Sequence, residues 1–273
     1  MTQSKPFGHF VRRSLPWQQI TPWLVPLGLV VVWQVFAQLG LITTRVLPAP
    51  TEIVAAAIRL LQSGELVQHI RISLWRALVG FAIGGSIGLG LGLLNGVYPL
   101  AEKLLDSSIQ MIRNIPHLAL IPLVILWFGI GDEARIFLVI LGVFFPIYIN
   151  TFHGIRSLDP GLIEMGKVYG LRSKELFWQI ILPGALPNVL VGLRYALGLM
   201  WLTLVVSETI AANSGIGYMA MNAREFMQTD VVVLSILLYA LLGKLADAIV
   251  RILEQWWLPW HPSQHTQNSY VKT

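Results

Sequence analysis

An all-α membrane protein with six transmembrane helices is the fold class this sequence predicts. Three observations predict it. Of 273 residues only 12% are charged and 55% are hydrophobic, whereas an average soluble domain carries about 25% charged residues. The apolar stretches recur along nearly the whole chain rather than in one segment. Several of them approach or exceed the roughly 20 residues that a helix needs to cross about 30 Å of hydrocarbon. The same figures exclude a soluble enzyme, a secreted disulfide module and a disordered tail. Cysteine is absent, so disulfides and cysteine metal sites are excluded as well.

The chain opens with a polar tail, 1–22, interrupted by Pro6, Pro16 and Pro22. Span one is the uncharged run Trp23 to Thr44. Its far end, Phe36-Ala37-Gln38-Leu39-Gly40, offers no small-residue cleavage site, so it reads as a retained anchor. A loop follows to residue 66, in which Pro50 to Gln68 reads as a surface helix. The core, 67–252, holds five further spans. Span two is uncharged Ala77 to Ala101, and span three is Asn114 to Gly131, starting somewhat earlier and kinked by Pro116 and Pro122. Span four is Ile136 to Ile155, interrupted by Pro146. Span five is Asn188 to about Ala211, with Arg194 and Glu208, and span six is Val231 to Val250, with Lys244 and Asp247. A second tail, 253–273, ends the chain.

Six spans put both termini on one side. With the termini inside, eleven basic residues face the cytoplasm: Lys5, Arg12, Arg13, Lys103, Arg113, Arg156, Lys167, Arg172, Lys174, Arg251 and Lys272. Six face outward: Arg45, Arg59, Arg71, Arg76, Arg135 and Arg224. The excess favours cytoplasmic termini and accounts for the net charge of +5 without nucleic acid. Trp75, Trp127, Trp256, Trp257 and Trp260 sit at span ends, where interfacial aromatic residues belong.

Span two carries Gly80, Gly84, Gly88, Gly92 and Gly96, each four residues from the next. Positions i and i+4 share a helix face, so these form a smooth groove. Lipid is as apolar as leucine, and helices in a bilayer associate through close van der Waals contact that small residues permit. The groove predicts tight helix packing. It is not a phosphate loop: no GxxxxGK[ST] occurs, and Gly243-Lys244 is followed by Leu245.

The cytoplasmic loop 156–187 is long for a compact bundle and reads as two short helices. Asp159 suits an N-cap and Pro160 the first helical position. The first helix runs to Tyr169 and stops at Gly170; Leu162, Met165 and Tyr169 share a face. The second, Lys174 to Leu182, stops at Pro183. Short capped helices held outside the bilayer suit docking into a partner's groove.

Glu164-Met165-Gly166, three residues, Gly170, nine residues, Ile180, one residue, Leu182-Pro183 has the spacing EAA-x3-G-x9-I-x-LP. It resembles the EAA loop of permease subunits in binding-protein-dependent bacterial ABC importers, departing at the two alanines. The resemblance covers Trp23 to about Pro262. Ser107 to Leu123, Phe145 to Thr151 and Gly192 to Trp201 look like the nitrate, taurine and sulfonate branch. Ala211 to Tyr218 and Met221 to Phe226 are most similar to its aliphatic sulfonate transporters.

This resemblance implies the type I ABC importer permease (MetI-like) fold and a multi-pass place in the bacterial inner membrane. It implies a second copy of the chain, two cytoplasmic ATP-binding subunits carrying ATP and Mg, and a periplasmic or lipid-anchored substrate-binding protein. No cofactor is expected on this chain, whose surroundings are membrane lipid. The expected role is the translocation path of an ATP-driven aliphatic sulfonate (alkanesulfonate) importer, with taurine or nitrate and hydrogencarbonate as alternatives. On the loop, Leu162 and Tyr169 are expected as knobs, Glu164 and Lys167 as polar contacts, Gly170 as the turn, and Ile180, Leu182 and Pro183 as motif positions.

Ionisable residues inside a bilayer cost about 2.5–3.5 kcal/mol each on insertion scales. Arg194 therefore needs a reason: an anion in the path, or pairing with Glu208 or Asp247. Lys244 and Asp247, three apart, suit a local helix pair. Glu208 suits a gate or an interhelical hydrogen bond. Asn114, His117, Asn150 and Thr151 are candidates for the path or for helix packing. An intramembrane enzyme would need a nucleophile with a base, or a metal set. The sequence has no HExxH, its six histidines are scattered, and Ser86 and Ser214 have no evident base. An ion-driven secondary transporter would need no docking loop, and no inverted repeat is evident.

Overall fold

The computed structural model describes residues 16–259, with nothing described for the side chains of 16–23 and of Ala211. Much of the two expected tails, 1–22 and 253–273, lies outside the described residues. Among these the regular elements are helices, in the order α1 (Pro16–Gln38), α2 (Pro50–Gln62), α3 (Glu65–Val97), α4 (Pro99–Arg113), a 3-10 turn (His117–Leu120) and α5 (Ile121–Phe128). Then come α6 (Asp132–Arg156), α7 (Pro160–Val168), α8 (Ser173–Leu176), a π turn (Phe177–Ile181), α9 (Leu182–Ala211), α10 (Ile216–Glu225) and α11 (Thr229–Trp257). Four helical stretches are long and apolar enough to cross a bilayer: Glu65–Val97, Asp132–Arg156, Ser173–Ile210 and Thr229–Trp257. Pro99–Arg113 and His117–Phe128, bent by 78°, form a fifth if taken as one span, and Leu24–Gln38 is a shorter apolar helix.

The helix limits differ from the expected spans for identifiable reasons. Span one, expected to Thr44, stops at Gln38, and Gly40 turns the chain at φ +71°. The surface helix expected to Gln68 ends at Gln62, and the next helix starts at Glu65. Span two begins there, well before Ala77, and takes Arg71 and Arg76 into the helix. It ends at Val97, short of Ala101, because Tyr98 precedes Pro99 and is held extended at φ −107°, ψ 107°. Pro116 lies at the bend of span three, whereas Pro122 sits harmlessly in the first turn of α5. Pro183 does not end the second loop helix. It lies in the first turn of α9, and the wider π turn before it lets the chain run on from α8 without a loop.

The core is the contact of α3 with α6 and of α6 with α9. A Cβ on Gly84 would lie 2.6 Å from the Ile140 carbonyl oxygen, and one on Gly88 2.6 Å from that of Phe144. At Gly80, Gly92 and Gly96 it would meet Val139, Thr151 and Ile155 at 2.5–2.7 Å. All five glycines are buried, and backbone lies against side chain or carbonyl along the whole groove. Ala77, Val139, Val143, Ile147, Ala196, Met200 and Leu204 fill the middle of the bundle. A second cluster, with Ile53, Ala56, Leu66, Ile216, Met219 and Leu234, joins α2, α3, α10 and α11 at one end.

Candidate functional site

The loop between α6 and α9 builds an elbow. Asp159 is extended at φ −61°, ψ 120°, and its Oδ1 accepts from the Gly161 N–H at 2.8 Å, which satisfies one free donor at the start of α7. Pro160 occupies the first turn, where no amide hydrogen is needed. Gly170, at φ +81°, supplies the left-handed residue that closes the helix, and its N–H donates to the Lys167 carbonyl at 2.9 Å. The Arg172 N–H donates to Glu175 Oε2 at 2.8 Å and starts α8.

Gly166, at the second alanine position of the motif, is buried under the π turn. A Cβ there would lie 2.5 Å from Ile180 Cδ1 and 2.7 Å from Leu176 Cδ1. Gly166 and Ile180 thus hold α7 against the start of the continuous helix. Leu162, Met165, Val168 and Tyr169 remain exposed, Val168 by 86% and Tyr169 by 80%. Glu164 and Lys167 are also exposed, while Leu182 and Pro183 are half-buried in the first turn of α9. The outer face of α7 is thus an apolar patch bordered by Glu164 and Lys167.

The polar residues expected near the path are not brought into one constellation. Asn114 caps α4 and is exposed. His117 Nε2 lies 3.3 Å from Thr203 Oγ1. Asn150 donates to the Pro146 carbonyl at 2.8 Å, one turn back on its own helix. Thr151 is buried against Gly92, with no hydrogen-bond partner for Oγ1. Arg194 pairs with Glu254 at 2.7 Å and Asp247 at 3.5 Å, rather than with Glu208. Asp247 meets Arg251 at 3.0 Å, one turn on, instead of forming the expected pair with Lys244.

Glu208 makes the interhelical hydrogen bonds expected of it and centres a buried polar hub whose other members, Arg76, Ser73 and Tyr239, the sequence reading does not name as its partners. Its carboxylate accepts from Arg76 Nη1 at 2.7 Å, from Tyr239 OH at 2.9 Å and from the Gly217 N–H at 3.0 Å, and Ser73 Oγ lies 2.8 Å away. Arg76 also donates to Asp132 Oδ1 through Nε and Nη2, to the Ser214 carbonyl and to Ser214 Oγ. The Ile216 N–H donates to Ser73 Oγ at 2.8 Å, and the Gly215 N–H to His69 Nδ1 at 3.1 Å. The turn between α9 and α10 is thereby fastened to α3, α6 and α11. One signal existed in the sequence: a carboxylate in a span needs a cation. Arg76 stands one residue before the uncharged run and so falls outside the expected span, although it lies within α3.

The family model described as "Binding-protein-dependent transport system inner membrane component" matches residues 84–258. The chain belongs to this family. The permease is 62% identical over 93% of its length to SsuC of Escherichia coli (strain K12), named for aliphatic sulfonates transport, and covers 96% of that protein. It is 46% identical to the SsuC of Bacillus subtilis (strain 168), over 88% of this chain and 87% of the relative. To the taurine transport permease TauC of Escherichia coli it is 35% identical, over 85% and 86%. Among solved structures, a chain of the inward-facing MetNI methionine ABC transporter superposes with a TM-score of 0.54 at 22% identity, covering 68% of this chain and 95% of that one. That likeness concerns fold: the permease has the type I ABC importer architecture. α6, the elbow, α9 and the Glu208 turn all lie inside the matched segment; α1 and α2 precede it.

Proposed function

We propose that this permease is the membrane subunit of an ATP-driven importer for aliphatic sulfonates. The observation that carries the reading is the 62% identity to SsuC of Escherichia coli across nearly the full length of both chains. Taurine is the second reading, resting on the lower, 35% identity to TauC. A further alternative in the branch is nitrate or hydrogencarbonate.

In this reading α1 and the bent α4–α5 pair complete six spans, and both termini are cytoplasmic. The excess of basic residues on that side supports the orientation. The elbow then faces the cytosol, where two ATP-binding subunits carry the nucleotide and Mg. The exposed face of α7, with Leu162, Met165 and Tyr169, seats on them, and Glu164 and Lys167 supply polar contacts. A second copy of the chain completes the path, and a substrate-binding protein delivers the anion at the opposite face. Closure of the ATP-binding subunits displaces the elbow and reorients the spans between inward-open and outward-open states. This chain contributes binding, packing and displacement; hydrolysis takes place on its partners.

Uptake of labelled alkanesulfonate by cells with and without the gene, and by vesicles holding the reconstituted complex, tests the reading. The expected result is uptake that needs both ATP and the ATP-binding subunits. Preferred uptake of taurine would move the substrate to the second reading. Uptake driven by an ion gradient with no ATP-binding subunit would overturn the reading in favour of a secondary transporter.

A further inference from the structure

A cleft of about 660 Å³ opens between the end of α3 and the elbow, on the flank of the bundle. Gly90, Leu94, Val97 and Tyr98 form one wall, and Lys174 and Phe177 contribute to the other. Its lining holds no Asp or Glu, and among the described residues Lys174 enters no salt bridge. The α3 wall belongs to an outward-facing surface: Ile83, Ile87 and Leu94 are 40–47% exposed along it. Gly90 is exposed, and a Cβ there would touch nothing within 4 Å, so the wall is open at this point.

An apolar trough at the flank of a spanning helix, with one ammonium group at its mouth, matches a molecule that has an acyl chain and an anionic head. Long basic side chains at the membrane boundary reach the head-group level, and basic pockets between spans on the cytoplasmic side take anionic lipid heads. We propose that this cleft is a binding site for an anionic phospholipid of the inner leaflet, its acyl chain along Gly90 to Val97 and its phosphate at Lys174. The bound lipid ties the elbow to α3, so the leaflet's composition acts on the segment that docks the ATP-binding subunits. The site rests on the cytoplasmic placement of the elbow proposed above. A failure of sulfonate uptake would leave the lipid measurement untouched.

The test is native mass spectrometry of the permease purified with its ATP-binding subunits from vesicles of equal phosphatidylglycerol and phosphatidylcholine. Phosphatidylglycerol is expected to be retained about fivefold over phosphatidylcholine, the factor given by one lysine at an anionic surface. Lys174→Gln is expected to bring the ratio towards one without emptying the cleft. Gly90→Phe is expected to lower retention of both lipids at an unchanged melting temperature. Equal retention of the two lipids by the unaltered complex would overturn the site, as would wild-type retention in both variants. Cross-linking from position 90 to α1 of a second copy, instead of to lipid, would assign the cleft to that copy and overturn it too.

Discussion

Arg76 and Glu208 lie 132 positions apart in sequence, and Nη1 of one stands 2.7 Å from Oε1 of the other. At most 1% of either side chain is exposed. Removing Arg76 leaves the Glu208 carboxylate buried without a cation and costs about 3–5 kcal/mol, whereas Arg76 keeps Asp132 at 2.7 Å when Glu208 is removed. Arg76→Ala is therefore expected to lower the melting temperature of the detergent-solubilised protein sharply, and Glu208→Ala to lower it less. Arg76→Met combined with Glu208→Leu is expected to lose less than the sum of the single changes. Strict additivity would remove the pairing from the account.

Two glycines on α3 are expected to respond oppositely to the same added methyl group. At Gly84 it would meet the Ile140 backbone, and overpacking of this kind typically costs about 1–3 kcal/mol. At Gly90 it meets nothing within 4 Å, and alanine favours a helix interior by about 0.8–1 kcal/mol over glycine. Thermal denaturation of Gly84→Ala and Gly90→Ala compares them directly. Equal melting temperatures would show that the groove does not hold α6.

The elbow yields a functional prediction. Gly166→Val would push Ile180 and Leu176 away and lift α7 from the π turn. Gly170→Glu would force a side chain into the left-handed region at φ +81°. Each is expected to reduce ATP-driven uptake at least tenfold while the permease still reaches the membrane. Survival of both uptake and ATPase stimulation in Gly170→Glu would refute docking through this elbow.

Arg194 is spoken for by Glu254 and Asp247, and its side chain is 45% exposed. Ion pairs this accessible contribute about 0–1 kcal/mol. Arg194→Gln is expected to keep uptake within about twofold of wild type, with a small loss of stability. A collapse of uptake at normal expression would return Arg194 to the translocation path.

Local rules made much of the elbow legible. The cap at Asp159, the proline after it and the left-handed Gly170 each act within a few residues, so their types and spacing carry the geometry. Three features escaped. Charge content alone placed the start of span two after Arg76, because an arginine in a helix is tolerable only when a partner exists, and that partner comes from α9. Pro183 reads as a helix terminator because its ring and missing donor conflict with α-helical hydrogen bonding. The π turn that relieves the conflict has no sequence signature of its own. Of the two partners of Arg194, Asp247 is one the sequence reading names, whereas Glu254 is set by how α9 lies on α11, which no spacing within either helix reveals.

The helix from Ser173 to Ile210 is 38 residues long, roughly 57 Å at about 1.5 Å per residue. Near its midpoint Gly192 presses on Asn150 and on the Pro146 carbonyl, at 2.7 and 3.0 Å from where a Cβ would be. Gly154 against Asn188 and Gly142 against Thr203 are just as close, at 2.8 and 2.7 Å, so α6 is zipped to this rod on both sides of Gly192. One unbroken helical shaft therefore joins the elbow beside Phe177 to the Glu208 turn, with no loop between them.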